Sequence, residues 1–598
     1  MTIGYISVKA NNSIPLWESY LNRLRLQDFK VAEFLEAAVT KGGAPGETLP
    51  NIAFATSGGG DRALLFSASI LDAFDLRNNE AVAARTGGLL QLANYVTGLS
   101  AGAWLLTSWA TANFERMPEL NSTVWGLNKQ KGYLSWSLVK TLPKHVWQAL
   151  RKKRAGFDIS FRFFFSDYIA SGGAYCLPNT CERIAPLHEA GLKESNAQKS
   201  VTLFETPAYK AREFPMPILT SLSRRASGEP VTLQSPIYEM TPEDFSVWHP
   251  GLNASIPMEY LGSRMSFGKG RAVSCVKGFD NAGFGDKAIS CISSNLVVHE
   301  VAPRWLILPI PSAIQRESPV TFSASKCAFI DGSNQTPNLG EKFANALIKG
   351  TFYEALVSVC WCFLYYSRRT IAKKKPCIPI CLVLFRLIGG FVDSNTETLL
   401  LADGAMAQEN IPLFPLLQPS RKVDVIIALD AVALRFNYYH YLHFSTVNGH
   451  AFDAPTVDGY PNGTALYQTY LKLQDPEFKN YLFPKIPNSL KTEFIAGGYN
   501  KRPTFFGCKM EDGPLVVYLP NYFASHRTDM RTMQTDFTGD EIDGFFKNSF
   551  LIATQKNSTL NDPEWPECLA CALIHKQQKR SRLPLSSQCS RCFKKYCG

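Results

Sequence analysis

Three times along this chain a short apolar run breaks into a turn of small residues. Asn51-Ile-Ala-Phe-Ala-Thr56 meets Ser57-Gly58-Gly59-Gly60, and Leu92-Ala-Asn-Tyr-Val-Thr97 meets Gly98-Leu-Ser100-Ala-Gly102. Far downstream, Leu399-Leu-Leu-Ala402 ends in Asp403-Gly404. Runs this short and apolar suit strands buried on both faces. After the first turn Ala63, Leu64, Ser67, Ile70, Leu71 and Phe74 recur with a helical period, and Asp61 is placed to cap that helix. After the second comes the apolar Ala103–Trp109 stretch, and Val423–Leu429 reads as one more buried strand. Strands alternating with helices predict an α/β fold. Its mostly parallel central sheet is flanked by helices, with a Ser nucleophile elbow and large insertions.

Composition narrows the class. Apolar residues are 45% and charged residues 19% of 598, which excludes a disordered or coiled-coil chain and leaves a large globular core. Lys and Arg exceed Asp and Glu by 62 to 51. That excess of +11 is too dilute to argue for nucleic acid, although it favours an anionic surface such as phospholipid.

Gly98-Leu-Ser100-Ala-Gly102 matches Gly-x-Ser-x-Gly, in which a serine on a strained turn from strand to helix exposes its Oγ. Ser57-Gly58-Gly59-Gly60-Asp61-Arg62 offers backbone amides at a helix N-terminus, suited to a phosphate or an oxyanion. It lacks the spacing of a nucleotide-binding P-loop. Arg62 beyond the glycines adds a fixed positive charge suited to a phosphate ester. None of the nine histidines stands in a recognisable catalytic motif. Asp403, at the end of an apolar strand, is placed to be partly buried, which would raise its pKa towards that of a useful base. An ordinary serine turn and a surface ion pair for Arg62 are the rival readings of these residues one at a time.

The 15 cysteines include Cys360, Cys362, Cys377 and Cys381, and a second group of Cys568, Cys571, Cys589, Cys592 and Cys597. The spacing of Cys568, Cys571, Cys589 and Cys592 falls within that of a zinc ribbon, so metal and disulfide readings both stand on spacing alone. Six Asn-x-Ser/Thr acceptors occur, at Asn11, Asn121, Asn253, Asn334, Asn462 and Asn557. With the cysteines they favour disulfides and a secreted or cell-surface glycoprotein. Met1 to Leu26 holds no apolar stretch of the signal-peptide kind, and no apolar tail for a lipid anchor follows Cys597. The apolar runs Ala355–Tyr366 and Cys377–Val392 are too short or too interrupted to span a membrane. They flank a basic knot from Arg368 to Lys375, so 355–392 reads as an anomalous insertion.

Taken together, Ser57 to Ala63, Gly98 to Trp104 and Asp403-Gly404-Ala405 with Glu409-Asn410 resemble a family. They are similar to the catalytic domain shared by fungal phospholipase B (lysophospholipase) and cytosolic phospholipase A2. Leu416-Leu417-Gln418-Pro419, Val423-Asp424-Val425-Ile426, the Trp565–Cys571 segment and Cys589-x-x-Cys592-Phe593 resemble the fungal branch. The resemblance spans roughly residues 50 to 598. It implies a domain over 51–560 after an N-terminal extension (1–50), with a Cys-rich segment (561–598) packed upon it. It also implies hydrolysis of fatty-acyl esters of lysophospholipids, and of diacyl phospholipids, at a membrane or micelle surface. Asp403 would activate Ser100, Gly59 and Gly60 would form the oxyanion hole, and Arg62 would meet the substrate phosphate. No metal or cofactor is implied. Departures are Ala101 and Ala103 in the elbow, Ala405 for a glycine and Glu409 for a glutamine. Trp104 is expected in the core, and Phe161–Phe165 in the core or along an acyl channel. The alternatives are a Ser-His-Asp esterase and a catalytically inactive lipid-binding glycoprotein.

Overall fold

A computed structural model of the chain describes residues 5–6, 8–9, 12–40, 49–128, 206–224, 231–250, 252–258, 264–265, 272–274, 400–432, 460–491, 493–532, 534, 537–556 and 561–598. The most apolar runs form the middle of one large sheet. They are β1 (Ile52–Thr56), β2 (Tyr95–Gly98), β3 (Met216–Arg224), β10 (Val425–Asp430) and β12 (Leu515–Pro520). These five lie parallel in the order β12-β10-β1-β2-β3. Every residue of β1, β2, β10 and β12 is buried, as expected of parallel strands covered on both faces.

Antiparallel strands extend both flanks. β4 (Ile237–Met240), β5 (Asp244–His249) and β6 (Leu252–Pro257) follow β3, and β11 (Thr504–Phe506) pairs with β12. A separate short pair joins β7 (Arg264–Met265) to β8 (Ala272–Ser274). β9 (Leu400–Asp403) pairs antiparallel with the far half of β3, opposing Ser221–Arg224. Since β2 pairs only with Met216–Leu219, β9 continues the line of β2 beyond its end. The α/β expectation stands, but the strand carrying Asp403 runs against its neighbours.

Helices contact the sheet in two groups. Helices Asp61–Asp72, Ala101–Thr111 and Gly539–Thr554 pack together, and the first two reach β10, β2 and β3. Trp565–Ser581 lies on β10 and β12 and carries Ile14–Leu24 and Val31–Thr40. Trp17, Tyr20, Leu21 and Phe34 of this early segment belong to the same buried cluster as the sheet, so it is built into the core. Helix Asp61–Asp72 departs from the periodic reading, because all twelve residues are buried, not one face. It is packed between the sheet and other helices, so each large side chain such as Leu65 or Phe66 contributes about 1.5–3 kcal/mol by leaving water. Helix Gly539–Thr554 is closed by a capping box of Thr538 and Glu541.

The C-terminal cysteines form cystines. Cys568 pairs with Cys592, Cys571 with Cys589, and Cys508 with Cys597. The first two staple helix Trp565–Ser581 to helix Ser587–Tyr596, and the third ties the chain end to the loop after β11. The four cysteines with zinc-like spacing are thus oxidised pairs, whose sulfurs are not the thiolates a zinc site requires. Insertion 355–392, the other nine cysteines and Phe161–Phe165 lie outside the described residues. Among the described residues no helix is long and apolar enough to cross a membrane.

Candidate active site

β1 ends at the point where the sheet order turns. The chain passes from β1 to β2 on one side, while β10 later fills the other. In open α/β sheets the crevice outside the carboxyl ends of such strands is where ligands bind. All three sequence motifs arrive there.

Ser100 follows β2 and caps helix Ala101–Thr111, with φ 51° and ψ −125°. A serine held in so sparsely populated a conformation is strained, a state that persists only where surrounding packing imposes it. Gly98 and Gly102 allow the packing, since a Cβ on Gly102 would stand 2.6 Å from the Thr56 carbonyl oxygen. Ala101 and Ala103 fit within the buried helix. Trp104 is 5% exposed, in the core as expected.

The glycine turn bends through φ 136° at Gly59 and 69° at Gly60, a path closed to larger residues. Gly60, not Asp61, is the N-cap residue, and Asp61 sits in the first helical turn. The amides of Ser57 and Gly58 donate to the carbonyls of Leu429 (3.2 Å) and Asn410 (2.9 Å). Those of Gly59 and Gly60 donate to no protein acceptor among the described residues. They stand at the N-terminus of a twelve-residue helix, with a second helix beginning at Ala101. Both helix ends are positive, so the corner attracts developing negative charge.

Asp403 is buried, and its Oδ1 accepts the Ala405 amide at 2.8 Å. It pairs with Ser221 of β3, two rungs past the Leu219–Gly98 pair, which sets it roughly 6–7 Å beyond the end of β2 along the sheet. Leu99 joins the three motifs. A Cβ on Gly58 would stand 2.6 Å from Leu99 Cδ1 and 3.1 Å from Ser100 Cβ. One on Gly404 would stand 2.9 Å from Leu99 Cδ2. The glycine turn and the Asp403 turn therefore both pack against Leu99, the residue before Ser100. Ala405 brings no strain, because it lies in a 3-10 turn and the positive φ falls at Gln408 (67°).

Arg62 is 1% exposed. Its Nε donates to Ala431 O at 2.9 Å and its Nη1 to Met530 O at 2.7 Å, while Nη2 lies against Gly59. In this state the guanidinium braces the turn from within.

Asp430 is a residue that sequence reasoning missed. It ends β10, accepts Tyr518 Oη at 2.7 Å and the Val432 amide at 3.0 Å, and burial pushes its carboxyl up to about 6. The next residue, Ala431, donates to Ser57 Oγ at 2.9 Å and receives Arg62. The signal was present as an acid closing a buried strand at the carboxyl end of the sheet.

Three histidines are described. His249 lies near Glu477 and Phe478, His526 bonds Ser525 Oγ, and His575 packs on Phe593. Of the glycan candidates, Asn121 is half-buried and accepts the Leu127 amide. Asn462 is 4% exposed, and its Oδ1 accepts the Thr464 amide at 3.0 Å. Asn253 lies in β6 opposite Trp248, while Asn11, Asn334 and Asn557 lie outside the described residues.

The model of the lysophospholipase catalytic domain family matches residues 52–304 and 392–598. The chain belongs to this family. Lysophospholipase 2 of Aspergillus fumigatus is 29% identical, over 99% of this chain and 88% of that protein. Lysophospholipase 3 of the same fungus is 30% identical over 99% and 83%, and the Penicillium chrysogenum lysophospholipase 28% over 99% and 85%. Among solved structures, human GIVD cytosolic phospholipase A2 superposes with a TM-score of 0.53 over 96% of this chain. The chain spans 65% of that protein, and at 13% identity the likeness is one of fold. Within the family match, 305–391 stays unmatched, and it holds all but the last residue of the 355–392 insertion.

Proposed function

We propose that this member of the lysophospholipase family hydrolyses fatty-acyl esters of lysophospholipids, and of diacyl phospholipids, through a Ser100/Asp403 dyad. Asp403 takes the Ser100 proton as Oγ attacks the ester carbonyl carbon. The Gly59 and Gly60 amides hold the oxyanion as it forms. Its collapse breaks the bond to the alcohol oxygen, which leaves with the proton from Asp403. Water, with Asp403 again as base, then frees the fatty acid from the acyl-enzyme. The observation that carries this reading is that Gly58 and Gly404 both pack closely against Leu99, the residue before Ser100. It supports one corner shared by nucleophile, base and oxyanion donors. The amides of Gly59 and Gly60 donate to no acceptor among the described residues, which leaves them available to an oxyanion.

Arg62 enters this reading as a positioning residue that sets the glycine turn, with contact to the substrate phosphate as the rival role. The substrate is taken at a micelle or membrane surface. The three cystines support export to an oxidising compartment, and a cytosolic protein with free thiols at these six positions would overturn that part.

The test is fatty-acid release from lysophosphatidylcholine. Ser100→Ala and Asp403→Ala should each lower turnover by several orders of magnitude, with the double variant little worse than either, since members of a catalytic unit are not additive. Near-normal activity in Asp403→Ala would reject the dyad and favour a histidine base. No release by the wild type would favour an inactive lipid-binding protein.

A further inference from the structure

From the Asp403 turn the chain runs across the carboxyl ends of β1 and β2 and is fastened on both sides. On the sheet side, the Asn410 carbonyl receives the Gly58 amide at 2.9 Å. The Pro412 carbonyl receives Thr97 Oγ1 at 2.8 Å, one residue before Gly98. On the other side stands helix Thr464–Lys472. Lys472 Nζ lies 2.8 Å from Glu409 Oε2, and Thr469 Oγ1 donates to Glu409 Oε1 at 3.2 Å. Gln468 Nε2 donates to Gln408 Oε1 at 3.0 Å, at the residue where the backbone turns through positive φ. The Lys472 and Glu409 side chains are only 1% and 5% exposed. The ammonium also lies 4.8 Å from the Phe414 ring centre and 5.4 Å from that of Phe478.

An ion pair taken this far out of water is a poor source of stability, because an apolar pair of similar volume often serves as well. It does provide a short, directional, charge-assisted bond. This bond sits at the hinge between the Asp403 turn and the carbonyl that holds Gly58. We propose that the Glu409–Lys472 pair is a positioning device for the reaction. It locks segment 408–412 against helix Thr464–Lys472 and thereby fixes the Asp403 turn and the glycine turn relative to Ser100. The proposal rests on the Ser100/Asp403 reading. Neither side chain touches the substrate in it, and the effect is carried through the Asn410 and Pro412 carbonyls.

The experiment compares Lys472→Met, Thr469→Val and the double variant Glu409→Gln/Lys472→Met with the wild type. The readouts are kcat and KM on lysophosphatidylcholine, the rate of covalent inactivation by an alkyl fluorophosphonate, and Tm. Rates are normalised to the sites that react with the fluorophosphonate. Lys472→Met should lower kcat and the inactivation rate by about tenfold or more with little change in KM, as expected when reacting groups are misplaced by fractions of an ångström. Removing both charges should restore most of that loss, since the glutamine keeps the bond from Thr469. Thr469→Val removes one bond and no charge, and should lower kcat by about threefold with Tm nearly unchanged. Should Lys472→Met fail to fold, Thr469→Val decides. Normal kcat per reactive site in either single variant, or a double variant no better than Lys472→Met, would overturn the proposal. If the wild type is active and Asp403→Ala is not, such a result touches the clamp alone; full activity in Asp403→Ala would instead remove the reading beneath it.

Discussion

The corner around Ser100 and the cystine-bound C-terminus are both buried and close-packed, but they are held by different means. The corner has no covalent cross-link among its described residues. Its shape comes from backbone that larger residues cannot adopt, at Gly59 and Gly60, and from the strained φ of Ser100. A main-chain hydrogen bond from the Gly58 amide and one donated by the Thr97 hydroxyl complete it. The C-terminus, by contrast, fixes two helices and the chain end with three cystines. Its last residue adds one further bond, from the Gly598 amide to the Phe505 carbonyl. Strain that must be aimed is kept local and non-covalent, while the frame that resists it is cross-linked. Damage to the corner should therefore cost rate, and damage to the cystines should cost stability.

Among variants that leave Ser100 and Asp403 in place, the largest effect is expected from Gly60→Ala. Its Cβ would overlap the Thr532 carbonyl oxygen, and φ 69° is unfavourable for alanine. On the proposed reading, in which the Gly60 amide helps hold the oxyanion, displacing that donor should cost roughly 10²–10³ in kcat. Hydrogen exchange in helix Trp565–Ser581 should stay near that of the wild type. Global unfolding of this variant would break the comparison, because the two regions would then be one cooperative unit. Arg62→Lys refines the same point, since it keeps the charge and loses the planar fork that holds Ala431 and Met530. A positioning role predicts equal losses on a lysophospholipid and on a neutral ester, whereas a phosphate contact predicts a loss on the lysophospholipid alone.

The cystines should show the reverse pattern. Cys571→Ser/Cys589→Ser removes a bridge closing 18 residues, worth about 3 kcal/mol. Tm should fall by several degrees while kcat of the folded enzyme stays within about twofold. A large loss of kcat at unchanged Tm would show that the frame also aims the corner.

This contrast also separates what could be read from the sequence. The placement of Ser100, Asp403 and the Gly59-Gly60 turn at strand ends was legible because each carries a local signal: glycines at a turn, a serine between small residues, an acid ending a strand. The flanking strands were legible from apolar runs. The antiparallel run of β9 was not, because nothing in Leu400–Asp403 records that it pairs with Ser221–Arg224, nearly two hundred residues earlier. For the same reason Lys472 gave no sign of reaching Glu409, or Tyr518 of reaching Asp430. The cystine partners were open as well, since four cysteines allow three pairings and a zinc site besides. Arg62 looked like an open cation because sequence does not report that two carbonyls from β10's end and the loop beyond β12 would enclose it.

The smallest expected effect tests the comparison by pH. Burial holds the Asp430 carboxyl up at about 6, with the Tyr518 and Val432 hydrogen bonds and Arg62 opposing. In the C-terminal region burial, followed by Lys579 and Lys576, pushes the His575 imidazole down to about 4. These shifts have opposite consequences. A carboxyl raised on folding contributes stability that is fully present below its unfolded value near 3.8 and is lost as pH rises through 6. An imidazole lowered on folding contributes stability that is present above its unfolded value near 6.5 and is lost as pH falls through 4. Raising pH from 4 to 7 therefore weakens the corner and strengthens the C-terminus. The Tm difference between Asp430→Asn and wild type should rise across this window, and that between His575→Gln and wild type should fall, each by a few degrees. Thermal melts at half-unit steps with the cystines intact would measure both slopes. Equal slopes of the same sign would show that the two regions do not titrate as separate units, and the division between aimed corner and cross-linked frame would fail with them.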